Sequence, residues 1–154
     1  MIRNAVALGM IVVAASCGRP TREAAAPVVH SCKYAVAERG TSGQATVEIL
    51  DGAIVRVDVT VAYAGLPDRP GYSCTLEASG GDPTTRWSRN GAVTEIAFAA
   101  DPHGPEDLVV ITEGEREFVI DLSNTRSSGR CGAGAELPAR LTIPRAGGTC
   151  GVTL

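Results

Sequence analysis

The densest chemistry in the chain is Asp101-Pro102-His103-Gly104-Pro105-Glu106-Asp107, which sets one histidine among three carboxylates within seven residues. Imidazole and carboxylate are natural ligands of divalent metals, so His103 with Asp101 and Glu106 is the best metal candidate. His103 is also the best general base; a nucleophile needs a serine or cysteine held by a base that a third group orients. No Gly-x-Ser-x-Gly or Ser-x-x-Lys pattern accompanies it. Glu113, Glu115 and Glu117 share a face of a strand-turn-strand segment, as solvated surface does, rather than standing as paired acids for glycoside cleavage. A charged loop stiffened by prolines has the same composition as the His103 segment. That reading is adopted, and no catalytic residue, metal or cofactor is assigned.

The elements that would have to position these groups read as strands. In Val55-Arg56-Val57-Asp58-Val59-Thr60-Val61 every odd position is valine and every even one polar, the mark of a strand with one buried face. Ala45 to Ile49 alternates as well, and Asp51-Gly52 between the two segments predicts a two-residue hairpin. Asn90-Gly91 predicts a second hairpin, joining Thr85–Ser88 to Thr94–Phe98. Glu113-Gly114 predicts a third, between Leu108–Thr112 and Phe118–Leu122. Leu137 to Pro144 alternates with its prolines on one side, which suggests an edge strand, and Cys150 to Leu154 would close the set. No helical period is found, and 18 glycines and 9 prolines punctuate the chain. The expected fold is all-β, a small antiparallel meander barrel or sandwich of about eight to ten strands.

The opening segment has a different character. Arg3 precedes an uncharged apolar run from Ala5 to Ala15 that ends in small residues, the layout of a secretory signal. As a helix this run is about 16 Å long, short of the ~30 Å hydrocarbon core. Ala14-Ala15-Ser16-Cys17 resembles the lipobox of bacterial lipoproteins, with Ala14 where a leucine is usual. The resemblance implies a signal peptide over 1–16 and lipid attachment at Cys17. It also implies localisation in the cell envelope, with contact to the membrane through the lipid. Gly18, in place of the aspartate that often marks inner-membrane retention, leans towards the outer membrane. Residues 17–31 then form a tether with a reach of roughly 20 Å, with His30 solvated at its end, and residues 32–154 form the β domain.

Cysteine parity agrees with this division. With Cys17 as lipid carrier, Cys32, Cys74, Cys131 and Cys150 remain, an even set suited to disulfides in an oxidising envelope. The preferred pairing joins Cys131 to Cys150 and Cys32 to Cys74; the rival joins Cys74 to Cys131 and Cys32 to Cys150. No Cys-x-x-Cys spacing points to zinc.

Across its 154 residues the chain carries a formal charge of -3, its only lysine is Lys33, and aromatics make up 4%. These features argue against nucleic acid as a partner and leave few stacking platforms for sugars. Residues 101–121 hold seven acids against Arg116, while residues 122–154 hold four arginines against Glu136. The two segments are expected to neighbour each other and cancel. The stretch from Cys131-Gly132 to Leu137-Pro138, with the strand after it, resembles the C-terminal block of small envelope lipoproteins, over about Tyr72 to Cys150. Size and topology are also similar to membrane-bound inhibitors of c-type lysozyme. The Ser-Gly-x-x-Tyr loop of those inhibitors is absent at Ser42-Gly43, Ser79-Gly80 and Ser128-Gly129, so no inhibitory residue is carried over. The expected function is a non-catalytic envelope lipoprotein that meets a protein or wall component, an inhibitor of a cell-wall hydrolase being one form. A small-molecule or lipid carrier and a hydrolase using the His103 loop are the alternatives.

Overall fold

A computed structural model describes residues 25–65, 67–68, 70–99, 106–126 and 136–154. Cys17, Asp101, His103 and Cys131 lie outside the described residues. Among those described, no helix is long and apolar enough to cross a membrane.

The predicted hairpins form, with local adjustments. Strand β1 (Val28–Val36) leads through a single 3-10 turn (Ala37–Arg39) into β2 (Thr41–Leu50), which pairs with β3 (Ala53–Tyr63). The β2–β3 turn is Asp51-Gly52, with φ of 51° and 76°. Positive φ at both central residues is what a tight hairpin matching the strand twist requires. The valine alternation holds at Val57, Val59 and Val61, each at most 1% exposed. It fails at Val55. There β2 and β3 pair Glu48 with Arg56 and then Ile49 with Ile54, so Val55 is the extra residue of a bulge and Ile54 turns inward in its place.

After β4 (Tyr72–Ser79), β5 (Thr85–Asn90) and β6 (Val93–Phe98) form the second hairpin. Its register places Gly91-Ala92 at the tip, one residue later than expected, and Gly91 alone takes positive φ (59°). Strands β7 (Asp107–Glu113) and β8 (Glu117–Asn124) form the third, closed by the Gly114 amide donating to the Glu117 carbonyl at 2.8 Å. The chain ends with β9 (Arg140–Pro144), β10 (Gly148–Thr149) and β11 (Gly151–Thr153).

The strands make two sheets, ordered β10-β1-β2-β3-β4 and β11-β9-β8-β7-β6-β5. All pairs are antiparallel except β1 with β10. The arrangement is a sandwich rather than a closed barrel. Among the described residues the eleven strands slightly exceed the expected number because the last segment changes sheets: Gly148–Thr149 edges the first, Gly151–Thr153 edges the second, and Cys150 is the corner between them. β9 is therefore interior, flanked by β8 and β11, not the edge its prolines suggested. Pro144 is its last residue and Pro138 precedes it, so neither interrupts a central ladder.

The cysteine pairing differs from the preferred one. Cys32 bonds to Cys150 across a sequence separation of 118, which ties the corner to β1. Cys74 is also disulfide-bonded, and its partner lies outside the described residues. Sequence spacing favoured the short loop from Cys131 to Cys150. The fold instead sets Cys32 beside the corner, where the Cys150 amide donates to the Lys33 carbonyl at 2.9 Å.

One apolar cluster fills the space between the sheets, with Ala45, Val47, Val57, Val59 and Leu76 on one side and Ile96, Ile111, Phe118, Ile120, Leu141 and Ile143 on the other. Fully burying a side chain of this kind contributes about 1.5–3 kcal/mol. The oppositely charged segments do meet: Asp107 with Arg126 at 3.1 Å, Asp121 with Arg140 at 2.9 Å and Glu113 with Arg145 at 4.0 Å. Hydrogen bonds from Ser123 and then Arg140 hold the Asp121 carboxyl down at about 2.

Candidate functional site

The two ends of the sandwich are unlike. At the end where β1 begins, the chain is closed by packing. The His30 ring lies against Phe118 with centroids 5.1 Å apart, and the Arg145 guanidinium sits 4.1 Å from the centre of the same ring. His30 Nδ1 donates to the Arg145 carbonyl at 3.0 Å. His30 is thus part of β1, paired with Val47 of β2, and not the end of a solvated tether; the strand begins at Val28, before the expected limit at residue 31. Glu113 is held here between Arg89 at 3.0 Å and Arg145 at 4.0 Å.

At the opposite end the described residues leave a recess. Between the far ends of β1, β3 and β4 and the segment before β9 lies a cleft of about 440 Å³. All three tyrosines of the chain, Tyr34, Tyr63 and Tyr72, line it. Their placement follows from strand parity. Tyr34 continues the inward series of Cys32 on β1, Tyr63 that of Val59 and Val61 on β3, and Tyr72 that of Cys74 and Leu76 on β4.

Tyr34 is the floor, 4% exposed. Its ring crosses over Gly43 of β2 so that its hydroxyl donates to the Thr60 carbonyl on β3 at 3.0 Å. Only glycine leaves room: a Cβ at position 43 would lie 2.0 Å from that carbonyl oxygen and 2.5 Å from Tyr34 Oη. Tyr63 and Tyr72 face each other directly across the β3–β4 ladder, with ring centroids 5.4 Å apart and planes inclined by 28°. The turn after β1 folds over this pair, with Gly40 (φ 59°) against the Tyr63 ring. At the mouth Arg39 on that turn forms an ion pair with Glu136, both side chains largely exposed. Val36, Thr41, Val61, Pro70, Pro138 and Leu154 complete the described wall.

Burial first, and the nearby Tyr72 second, push the Tyr34 phenol up from 10.0 to about 12. A folded pKa above the unfolded one means that the neutral phenol adds stability in full below pH 10, and that this is lost as pH rises towards 12. In an alkaline titration followed by tyrosinate absorbance, one phenol should therefore ionise last, near pH 12. Gly43→Ala should expel that ring, return its titration towards the ordinary range, and lower stability by about 1–3 kcal/mol.

The residues singled out in the sequence are not those of the cleft. Glu106, the described member of the proposed metal trio, forms an ion pair with Arg86 on the outer face of the second sheet. Among the described residues no group of three or more His, Cys, Asp or Glu side chains could hold a metal. A low aromatic content implies few stacking platforms, but the fold gathers the tyrosines at one place. Extending the Val57-Val59-Val61 alternation to Tyr63 would have shown one ring facing inward; that the other two join it depends on register.

Comparison with protein-family models, with curated proteins and with solved structures finds no match for this chain.

Proposed function

We propose that the protein is a non-catalytic binding module of the bacterial cell envelope, held on a membrane by lipid at Cys17, that engages a protein or wall component through the tyrosine cleft. The observation that carries this reading is the position of the cleft. It opens at the end of β1 remote from Val28, where the N-terminal segment enters. Nine residues of strand at about 3.3 Å each place the two ends roughly 27 Å apart. A chain anchored through its N-terminal segment would thus present the cleft away from its attachment. Tyrosine suits such a role because its ring supplies apolar area and its hydroxyl a polar handle. Inhibition of a cell-wall hydrolase is one form the binding could take.

Two measurements test the proposal. Labelling with a radioactive fatty acid should mark the wild type and leave Cys17→Ser unmarked; label retained in the variant would defeat the anchor. Crosslinking in native envelopes should capture the same component with wild type and with Arg86→Ala, a substitution far from the cleft. The Tyr63→Ala/Tyr72→Ala variant should lose that product about tenfold or more while keeping a cooperative thermal transition. Equal capture by the double variant would remove the cleft from the proposal.

A further inference from the structure

We propose that the ligand of the tyrosine cleft is a neutral oligosaccharide. The inference rests on the binding role proposed above and adds the chemical class that the cleft selects. Its wall offers ring surface at Tyr63 and Tyr72, with the Tyr34 hydroxyl already committed to the Thr60 carbonyl beneath. A pyranose ring presents C–H groups on a face and hydroxyls around its rim, so it matches an aromatic plate bordered by polar groups.

The described polar border carries no net charge. Arg39 and Glu136 are already paired across the mouth, and each is exposed enough to retain free hydrogen-bonding capacity. A guanidinium has five donors and a carboxylate about four acceptor positions, more than one mutual contact consumes. With the two charges balancing each other, the mouth offers no net attraction to a cationic or an anionic ligand. A neutral polyol takes the remaining donors and acceptors without breaking the pair. The cleft volume, about 440 Å³, falls in the range of small-ligand sites, roughly 300–1,000 Å³.

The test is titration calorimetry of the full chain in detergent, with the N-acetylglucosamine tetramer, cellotetraose and maltotetraose as probes and a basic and an acidic tetrapeptide as comparisons. At least one saccharide should bind saturably, with an affinity that raising the salt concentration leaves unchanged. Tyr72→Ala should weaken it about tenfold or more and Arg39→Ala measurably, while Tyr72→Phe, which keeps the ring, stays close to wild type. A cooperative thermal transition kept by Tyr72→Ala excludes unfolding as the cause of its effect, and retention of binding by Tyr72→Phe assigns that effect to the ring rather than the hydroxyl. No saccharide binding by wild type, binding insensitive to Tyr72→Ala, or preference for either peptide overturns the inference. If saccharides fail while envelope capture still depends on Tyr63 and Tyr72, the binding role stands and only the ligand class falls. If both fail, both fall.

Discussion

Replacing Cys32 and Cys150 together by alanine should lower the unfolding free energy by about 4–5 kcal/mol, measured by urea denaturation. The bond closes a loop with a sequence separation of 118, so its removal returns a large chain entropy to the unfolded state. The structural consequence is equally specific. Strands β10 and β11 have two and three residues, too few to hold their sheet edges without help. Amide protection should accordingly vanish first over Gly148–Thr153 and persist in β2 and β3. Alanine is the replacement of choice because Cys32 and Cys150 are 3% and 6% exposed, and both are changed so that no freed thiol attacks the bond at Cys74. A loss under about 1 kcal/mol would mean that the corner is held by its hydrogen bonds rather than by the bridge.

Phe118→Ala should cost about 3–5 kcal/mol by the same measurement. The ring is fully buried at the start of β8, inside the sandwich and beneath both the His30 ring and the Arg145 guanidinium. Truncation leaves a cavity that two rigid sheets cannot collapse to fill, and it removes a cation–π contact contributing about 0.5–1 kcal/mol. Phe118→Leu keeps most of the volume and should cost about 1.5 kcal/mol or less. Near-equal losses for the two variants would show that ring stacking, not volume, stabilises this end.

What could be read in advance was local. Asp51-Gly52 requires a turn whatever surrounds it, and the alternation of Val57, Val59 and Val61 needs only a sheet with one dry face. The mutual cancellation of the acidic and basic segments was also foreseen, because strands adjacent in an antiparallel meander bring nearby sequence together. What escaped depends on long-range registration. Val55 leaves the core because of a bulge set by β2. Cys150 finds Cys32 because a terminal segment passes from one sheet to the other. His30 enters β1 because Phe118 and Arg145, far along the chain, build its resting place. The tyrosine cleft belongs to this class: Tyr34, Tyr63 and Tyr72 are scattered in sequence and converge only once three strands end at the same level. The histidine loop drew attention through its local density of chemistry, whereas the cleft is assembled from residues that look ordinary one at a time.

The bridge at the sheet corner also determines how the domain bears mechanical load. Tension arriving along the chain from the N-terminal side would peel β1 from its first residue, one ladder contact at a time. Only Val28 to Ser31 precede Cys32. Beyond that point force meets a covalent bond and is shared through Cys150 with the last strands of both sheets. An unzipping geometry thereby becomes a locked one after four residues, and the tyrosines at the far end of the strand remain undisturbed under strain.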